Sequence, residues 1–125
     1  MRKELEDSLF ERYDKILGQV DYREICIGDG WFVLIDTLCW GLQRMTDSGR
    51  SPQVRALQVK QKFGELCFYA TGTDSLQAGM IHMASMISTR TCEECGAVGQ
   101  RVEQEGFWRT LCPDHHQEWL KNFRA

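Results

Sequence analysis

Apolar residues recur at helical spacing at the start of the chain. Leu5, Leu9, Tyr13, Ile16 and Leu17 predict a helix over 2–17, ended at Gly18. A second and wider stripe follows, opened at Asp29 or Gly30. Trp31, Leu34, Ile35, Leu38, Leu42 and Met45 fall at i, i+3, i+4, i+7, i+11 and i+14, as in the main core helix of a small domain. Ser48-Gly-Arg-Ser-Pro52 is a turn-rich connector. From Val54 the period changes to two. Leu57, Val59 and Phe63 alternate with Gln58, Lys60 and Lys62; after Gly64, Leu66, Phe68 and Ala70 alternate with Cys67 and Tyr69. This predicts a β-hairpin with one apolar face. Gly72-Thr-Asp-Ser75 supplies an N-cap for a third helix, which reaches about Ser88 and buries Leu76, Met80, Met83, Ala84 and Ile87.

The last third carries the chemistry. Cys92 and Cys95 form a C-x2-C pair; after 16 residues, Cys112 and His115 form a C-x2-H pair. Two residues between ligands let one tight turn aim both at one ion, and a second pair closes the tetrahedron zinc takes in structural sites. A full set of four leaves no position for water or substrate, so the zinc reads as a staple. Free or disulfide-bonded cysteines are the competing reading. His116 competes with His115, which gives the tighter spacing. Gly96 suits a knuckle turn. Residues 100–103 and 107–111, split at Gly106, predict a second hairpin. Pro113 fits a first helical turn, and a short helix runs over 114–123 with Trp119, Leu120 and Phe123 on one side.

Knuckle, hairpin and ligand-bearing helix is the order of a treble-clef zinc finger. The expected fold is α+β: three helices packed on a β-hairpin, with a C-terminal treble-clef-like finger. Nothing between 88 and 91 has linker composition. The expectation is one domain over 1–125, with a body at 1–90 and a finger at 91–125 packed on it.

The length of 125 residues fits one domain. No apolar stretch approaches the ~20 residues of a membrane span. Met1–Asp7 lacks the apolar run of a signal peptide. Six cysteines without such a signal imply a reducing compartment, with cytoplasm the expected location. Cys26, Cys39 and Cys67 are then expected as buried, unpaired thiols. Trp31 and Trp119 fit apolar stripes, and Trp40 and Trp108 are also read as core.

Charge is unevenly placed. Residues 1–43 carry five basic and nine acidic side chains, whereas 44–62 carry five basic and one acidic. The finger is slightly acidic, which argues against a nucleic-acid module of the usual basic kind. The basic segment 44–62 keeps nucleic-acid binding as the alternative.

An enzymatic reading finds little. Asp29 and Asp36 lie seven apart, but Asp29 suits a helix start. Cys67 with His82 lacks local support, and His82 reads as half-buried in a helix. Asp114 and Glu118 read as groups around the metal. His115-His116-Gln-Glu118 is not the H-E-x-x-H of a metalloprotease. The expectation is a non-catalytic protein.

Gly28-Asp-Gly-Trp31, Val59-Lys-Gln-Lys-Phe-Gly-Glu-Leu-Cys-Phe-Tyr69 and Thr91-Cys-Glu-Glu-Cys-Gly96 occur in this order. Over roughly 25–116 the chain resembles a group of small bacterial and prophage proteins. That group carries GDGW, a K-F-G-x-L-x-F-Y hairpin and a terminal C-x2-C…C-x2-H finger. The resemblance implies an accessory gene of phage or of a bacterial conflict locus, and so an inhibitor or immunity protein that binds one partner protein. Two surfaces suit such a role. One is the acidic side of the first two helices, with Glu4, Glu11, Asp14 and Asp36. The other is the polar hairpin face, where Arg55, Lys60, Lys62 and Glu65 surround Tyr69. The acidic side is the favoured one, because it would steer a basic partner such as a nuclease toxin.

Overall fold

The computed structural model describes residues 1–124, the side chains of Tyr22 and Arg124 excepted. Ala125, the last residue of the expected finger, lies outside them. The described residues form an α+β structure with five α-helices and two small sheets.

The first predicted helix is two. α1 (Lys3–Arg12) and α2 (Asp14–Leu17) meet at Tyr13, whose backbone leaves helical values at φ −125° and ψ 48°. A tertiary anchor holds the break: the Tyr13 hydroxyl donates to Asp36 at 2.7 Å, and Arg12 pairs with the same carboxylate at 3.0 Å. The break lets two adjacent pairs, Leu9–Phe10 and Ile16–Leu17, reach the core together.

β1 (Ile25–Cys26) runs parallel to β2 (Arg55–Lys62), with Ile25 opposite Val59; the sequence pattern did not reveal it because two residues carry no period. β2 is central and pairs antiparallel with β3 (Glu65–Thr71). Phe63 and Gly64 close this hairpin with φ 55° and 80°, the two positive values a tight primed turn requires. The register shifts between Ala56 and Gln58. Leu57 is the extra residue of that bulge and turns outward, while Ala56 and Val59 face the core. The expected inward faces of Leu57 and Phe63 are therefore corrected: both are exposed, one by the bulge and one by the turn.

Asp29–Trp31 is a single 3-10 turn, and α3 (Phe32–Asp47) begins after it. Trp31, Ile35, Cys39 and Leu42 are completely buried, so the predicted stripe is the core stripe; Trp40 points out of it and is exposed. α4 (Ser75–Ser88) packs on β3 and α3. Asp74 caps it in a reciprocal box with Gln77, whose side-chain amide also donates to the Pro52 carbonyl at 2.7 Å. Gln77, Ala84 and Ser88 take the innermost positions, each with a small or fully bonded side chain. Leu76, Met83 and Ile87, expected inside, are about half exposed. His82 is likewise exposed, not half-buried.

β4 (Gln100–Gln104) and β5 (Phe107–Leu111) form the second sheet, and α5 (Pro113–Arg124) follows. Among the described residues no helix is long and apolar enough to cross a membrane.

Candidate metal centre

Three local structures bring the cysteines and the histidine together. The first is the turn after Thr91. The Cys92 amide donates to the Ala97 carbonyl at 2.7 Å, and the Gly96 amide returns to the Cys92 carbonyl at 2.8 Å. Gly96 closes the turn at φ 81°, a conformation that a side chain would strain. The second is β5, which delivers Cys112 from its end. The third is the first turn of α5, where the His116 amide bonds the Cys112 carbonyl at 2.9 Å and His115 swings inward.

The ligand atoms of Cys92, Cys95, Cys112 and His115 all lie within 4.8 Å of one another. Nδ1 of His115 is 3.3 Å from Cys112 Sγ and 3.6 Å from Cys92 Sγ, and the sulfurs of Cys95 and Cys112 are 3.8 Å apart. A tetrahedral ion with bonds of about 2.3 Å to sulfur and about 2.0–2.1 Å to nitrogen sets edges of about 3.8 and 3.6 Å. The donor set fits such an ion in both spacing and chemistry. His116 is outside the cluster; it faces the other side of α5, beside Val98 and Gln100. The backbone N–H of His115 points at Cys112 Sγ (3.5 Å) and helps hold that thiol down from its ordinary 9.0 to about 7. It is thus disposed to ionise and ligate near neutrality.

The cluster is tied to the body by two seams. At the first, Gly28 and Gly30 lie on the knuckle backbone. A Cβ on Gly28 would stand 2.1 Å from the Glu93 carbonyl oxygen, and one on Gly30 would stand 2.1 Å from that of Cys92. The Gly30 amide donates to the Glu93 carbonyl at 2.8 Å, and the buried Trp31 indole N–H donates to the Thr91 carbonyl at 2.7 Å. At the second seam, the turn of the β2–β3 hairpin docks on the β4–β5 hairpin. Arg101 gives two hydrogen bonds to the Phe63 carbonyl, at 3.0 and 2.6 Å, and the Thr110 hydroxyl donates to the Gly64 carbonyl at 2.5 Å. Gln61 donates to the Trp108 carbonyl at 2.8 Å. The three segments GDGW, KFG and CEEC thus meet in space.

Glu93 sits between the seams. Its side chain is buried and faces Arg109 at 2.5 Å, and Arg109 also pairs with Glu94. Neither Glu93 nor Arg109 stood out in the sequence, since a carboxylate inside C-x2-C has no spacing signature. The glycine pair of GDGW did carry a signal, because two glycines one residue apart suit a close backbone approach.

The other expected site residues fall as follows. Glu11 and Asp14 are exposed. Asp36 is half-buried and already bonded to Arg12 and Tyr13, so it adds little free negative charge to that side. Tyr69 is exposed beneath the Lys60 ammonium, 5.6 Å from the ring centre. None of these converges on the metal cluster. All six cysteines are unpaired, but only Cys39 of the three outside the cluster is fully buried. Cys67 is half-buried and Cys26 exposed; in β1 Ile25 takes the inward position and turns its neighbour out.

Compared with protein-family models, with characterised proteins and with solved structures, the chain matches none of them.

Proposed function

We propose that this protein is a non-catalytic, zinc-stabilised protein-binding module that acts in the cytoplasm, an inhibitor or immunity protein of a bacterial toxin or a phage accessory protein. Residues 91–124 serve in it as a treble-clef-like finger, and zinc is the ion of the Cys3His cluster. The observation that carries the reading is the completeness of that cluster. Three thiols and one imidazole satisfy a tetrahedral ion, and the knuckle that holds two of them is pressed against Gly28 and Gly30. An ion so held fastens the finger to the body. Knuckle, hairpin and helix in that order support the treble-clef assignment.

A fastened, rigid body presents surface side chains at low entropic cost to a partner. Glu11 and Asp14, exposed beside the kink at Tyr13, are the anchors of the acidic side; Tyr69 is the anchor of the hairpin side. The test is capture of a partner from lysate by the zinc-loaded protein, followed by charge reversal. Glu11→Lys with Asp14→Lys is expected to slow association and leave folding intact. Lys60→Glu with Lys62→Glu is expected to do little. Loss of binding in the lysine pair, with competition by nucleic acid and a steep fall of affinity with salt, favours the nucleic-acid alternative and rejects the inhibitor reading.

A further inference from the structure

The second sheet has one open edge. Glu105 and Gly106 turn its hairpin at φ 47° and 86°. A two-residue turn of this kind makes Gln104–Phe107, Val102–Arg109 and Gln100–Leu111 the hydrogen-bonded pairs. The residues between them aim their backbone groups outward, away from the hairpin. On β5 those groups are taken. The Trp108 carbonyl accepts from Gln61 at 2.8 Å, the Thr110 carbonyl accepts from the Glu93 amide at 3.0 Å, and the Thr110 amide donates to the Glu93 carboxylate at 3.4 Å. On β4 they are free. Among the described residues nothing bonds the outward amides and carbonyls of Arg101 and Glu103, and both residues are exposed. Donors and acceptors in this alternation are matched by another extended backbone. The edge also has a defined end. The Gly99 amide, the next outward group, donates to the Arg90 carbonyl at 2.9 Å. An added strand must therefore turn away beside Gly99.

β4 itself meets these limits. Laid antiparallel across a two-fold axis at Val102, a second copy of β4 sets its Glu103 opposite Arg101 and its Arg101 opposite Glu103. Those are the residues with free backbone groups, so the register that satisfies the edge also opposes unlike charges on both sides of the axis. An axis at Arg101 or at Glu103 would set like charges against each other. The Arg101 guanidinium is already held on this face by the Phe63 carbonyl, so its charge is fixed in place. In the same register Glu105 of the second copy falls opposite Gly99. Its chain turns there, where Arg90 closes the edge, and the exposed Glu105 comes up beside the exposed Arg90. The axis stands perpendicular to the sheet and keeps both α5 helices, which pack on their hairpins, on one face. Strands about 4.8 Å apart place the two hairpin centres about 10 Å apart, the spacing at which helices pack side by side.

We propose that β4 is a dimerisation edge, which pairs antiparallel with β4 of a second copy about Val102 and joins the two β4–β5 hairpins into one four-stranded sheet. The proposal does not rest on the inhibitor reading, because the acidic side at Glu11 and Asp14 takes no part in it.

Light scattering on the zinc-loaded protein, in a concentration series reaching about 1 mM so that even a weak dimer registers, tests it. The expected mass rises to twice the 14.5 kDa of the chain. Over the same series, amide exchange followed by NMR should slow at Arg101 and Glu103. Glu103→Pro removes an outward amide and no bond of the β4–β5 ladder, a place where an edge strand tolerates proline. It is expected to stay at single-chain mass with its zinc content unchanged. Glu103→Arg guards against a folding failure of that variant, since the side chain is exposed. It sets arginine opposite Arg101 twice per dimer and should weaken pairing by about tenfold or more. A wild-type protein of single-chain mass throughout the series overturns the proposal, including one whose edge instead takes an unrelated extended peptide. So does a dimer that survives both substitutions, or one in which the Arg101 and Glu103 amides exchange as fast as in the monomer.

Discussion

The amide of Gly30 gives its hydrogen to the carbonyl of Glu93 at 2.8 Å, across 63 residues of sequence. This bond joins the body to the middle of the metal knuckle. It is possible only because Gly30 has no side chain, since a Cβ there would also meet the Cys95 amide nitrogen at 2.7 Å. Trp31, next in the chain, repeats the link through its indole. An ion held by the cluster would have its binding coupled to the folding of the body.

Gly30→Ala is expected to destabilise the whole protein by about 3 kcal/mol, at the upper end of the usual cost of overpacking, because the obstacle is backbone. Trp31→Phe keeps most of the ring and strands the Thr91 carbonyl, at an expected cost of about 1–3 kcal/mol. Urea unfolding followed by circular dichroism measures both. Gly30→Ala should also weaken zinc retention against a chelator. An alanine variant as stable as the parent would refute the close contact.

Metal analysis is expected to find about one zinc per chain, as a single closed site requires. Cys95→Ser and His115→Ala should fall to near zero and lose amide protection in β4 and β5, because a structural ion's binding energy is folding energy. His116→Ala should keep its zinc. The reverse pattern for the two histidines would contradict the grouping of His115, and not His116, with the three cysteines.

Arg109 neutralises the buried Glu93 carboxylate. Arg109→Ala leaves that charge without its partner and is expected to cost about 3 kcal/mol. Adding Glu93→Gln should recover part of the loss, since an amide is cheaper to bury than a lone carboxylate. A thermodynamic cycle from denaturation midpoints gives the coupling; strict additivity would show that the pair is not a unit.

Burial, together with the hydrogen bond to Asp36, pushes the Tyr13 hydroxyl up to about 12 from an ordinary 10.0. The folded state therefore keeps a proton that the unfolded state releases. The stability this gives is complete below pH 10 and is lost as pH rises from 10 towards 12. Absorbance titration of the tyrosinates should show a late component that Tyr13→Phe removes and Asp36→Asn moves to lower pH. A late component unchanged in Tyr13→Phe would assign the effect elsewhere.

Several features were legible in the sequence because they depend on near neighbours. The C-x2-C and C-x2-H pairs each close within one turn, so their spacing marked the three sulfurs that can share an ion and favoured His115 over His116; the structure places His115 in the cluster. The α3 stripe, the two hairpins and the Asp74 cap are set by period and by local hydrogen bonds. Other features needed the whole molecule. The break at Tyr13 depends on Asp36, 23 residues away. The outward turn of Leu57 depends on a bulge that exists only against β3, and β1 exists only beside β2. The exposed face of α4 has no signature in the sequence, because an uncharged helix with apolar residues on every side gives no sign of which side is covered; packing on β3 chose Gln77, Ala84 and Ser88. Sequence alone named the candidate ligands, since ligand spacing is local. Tertiary structure decided that Gly28, Gly30 and Trp31 hold them to the body, since that contact closes a loop of some sixty residues.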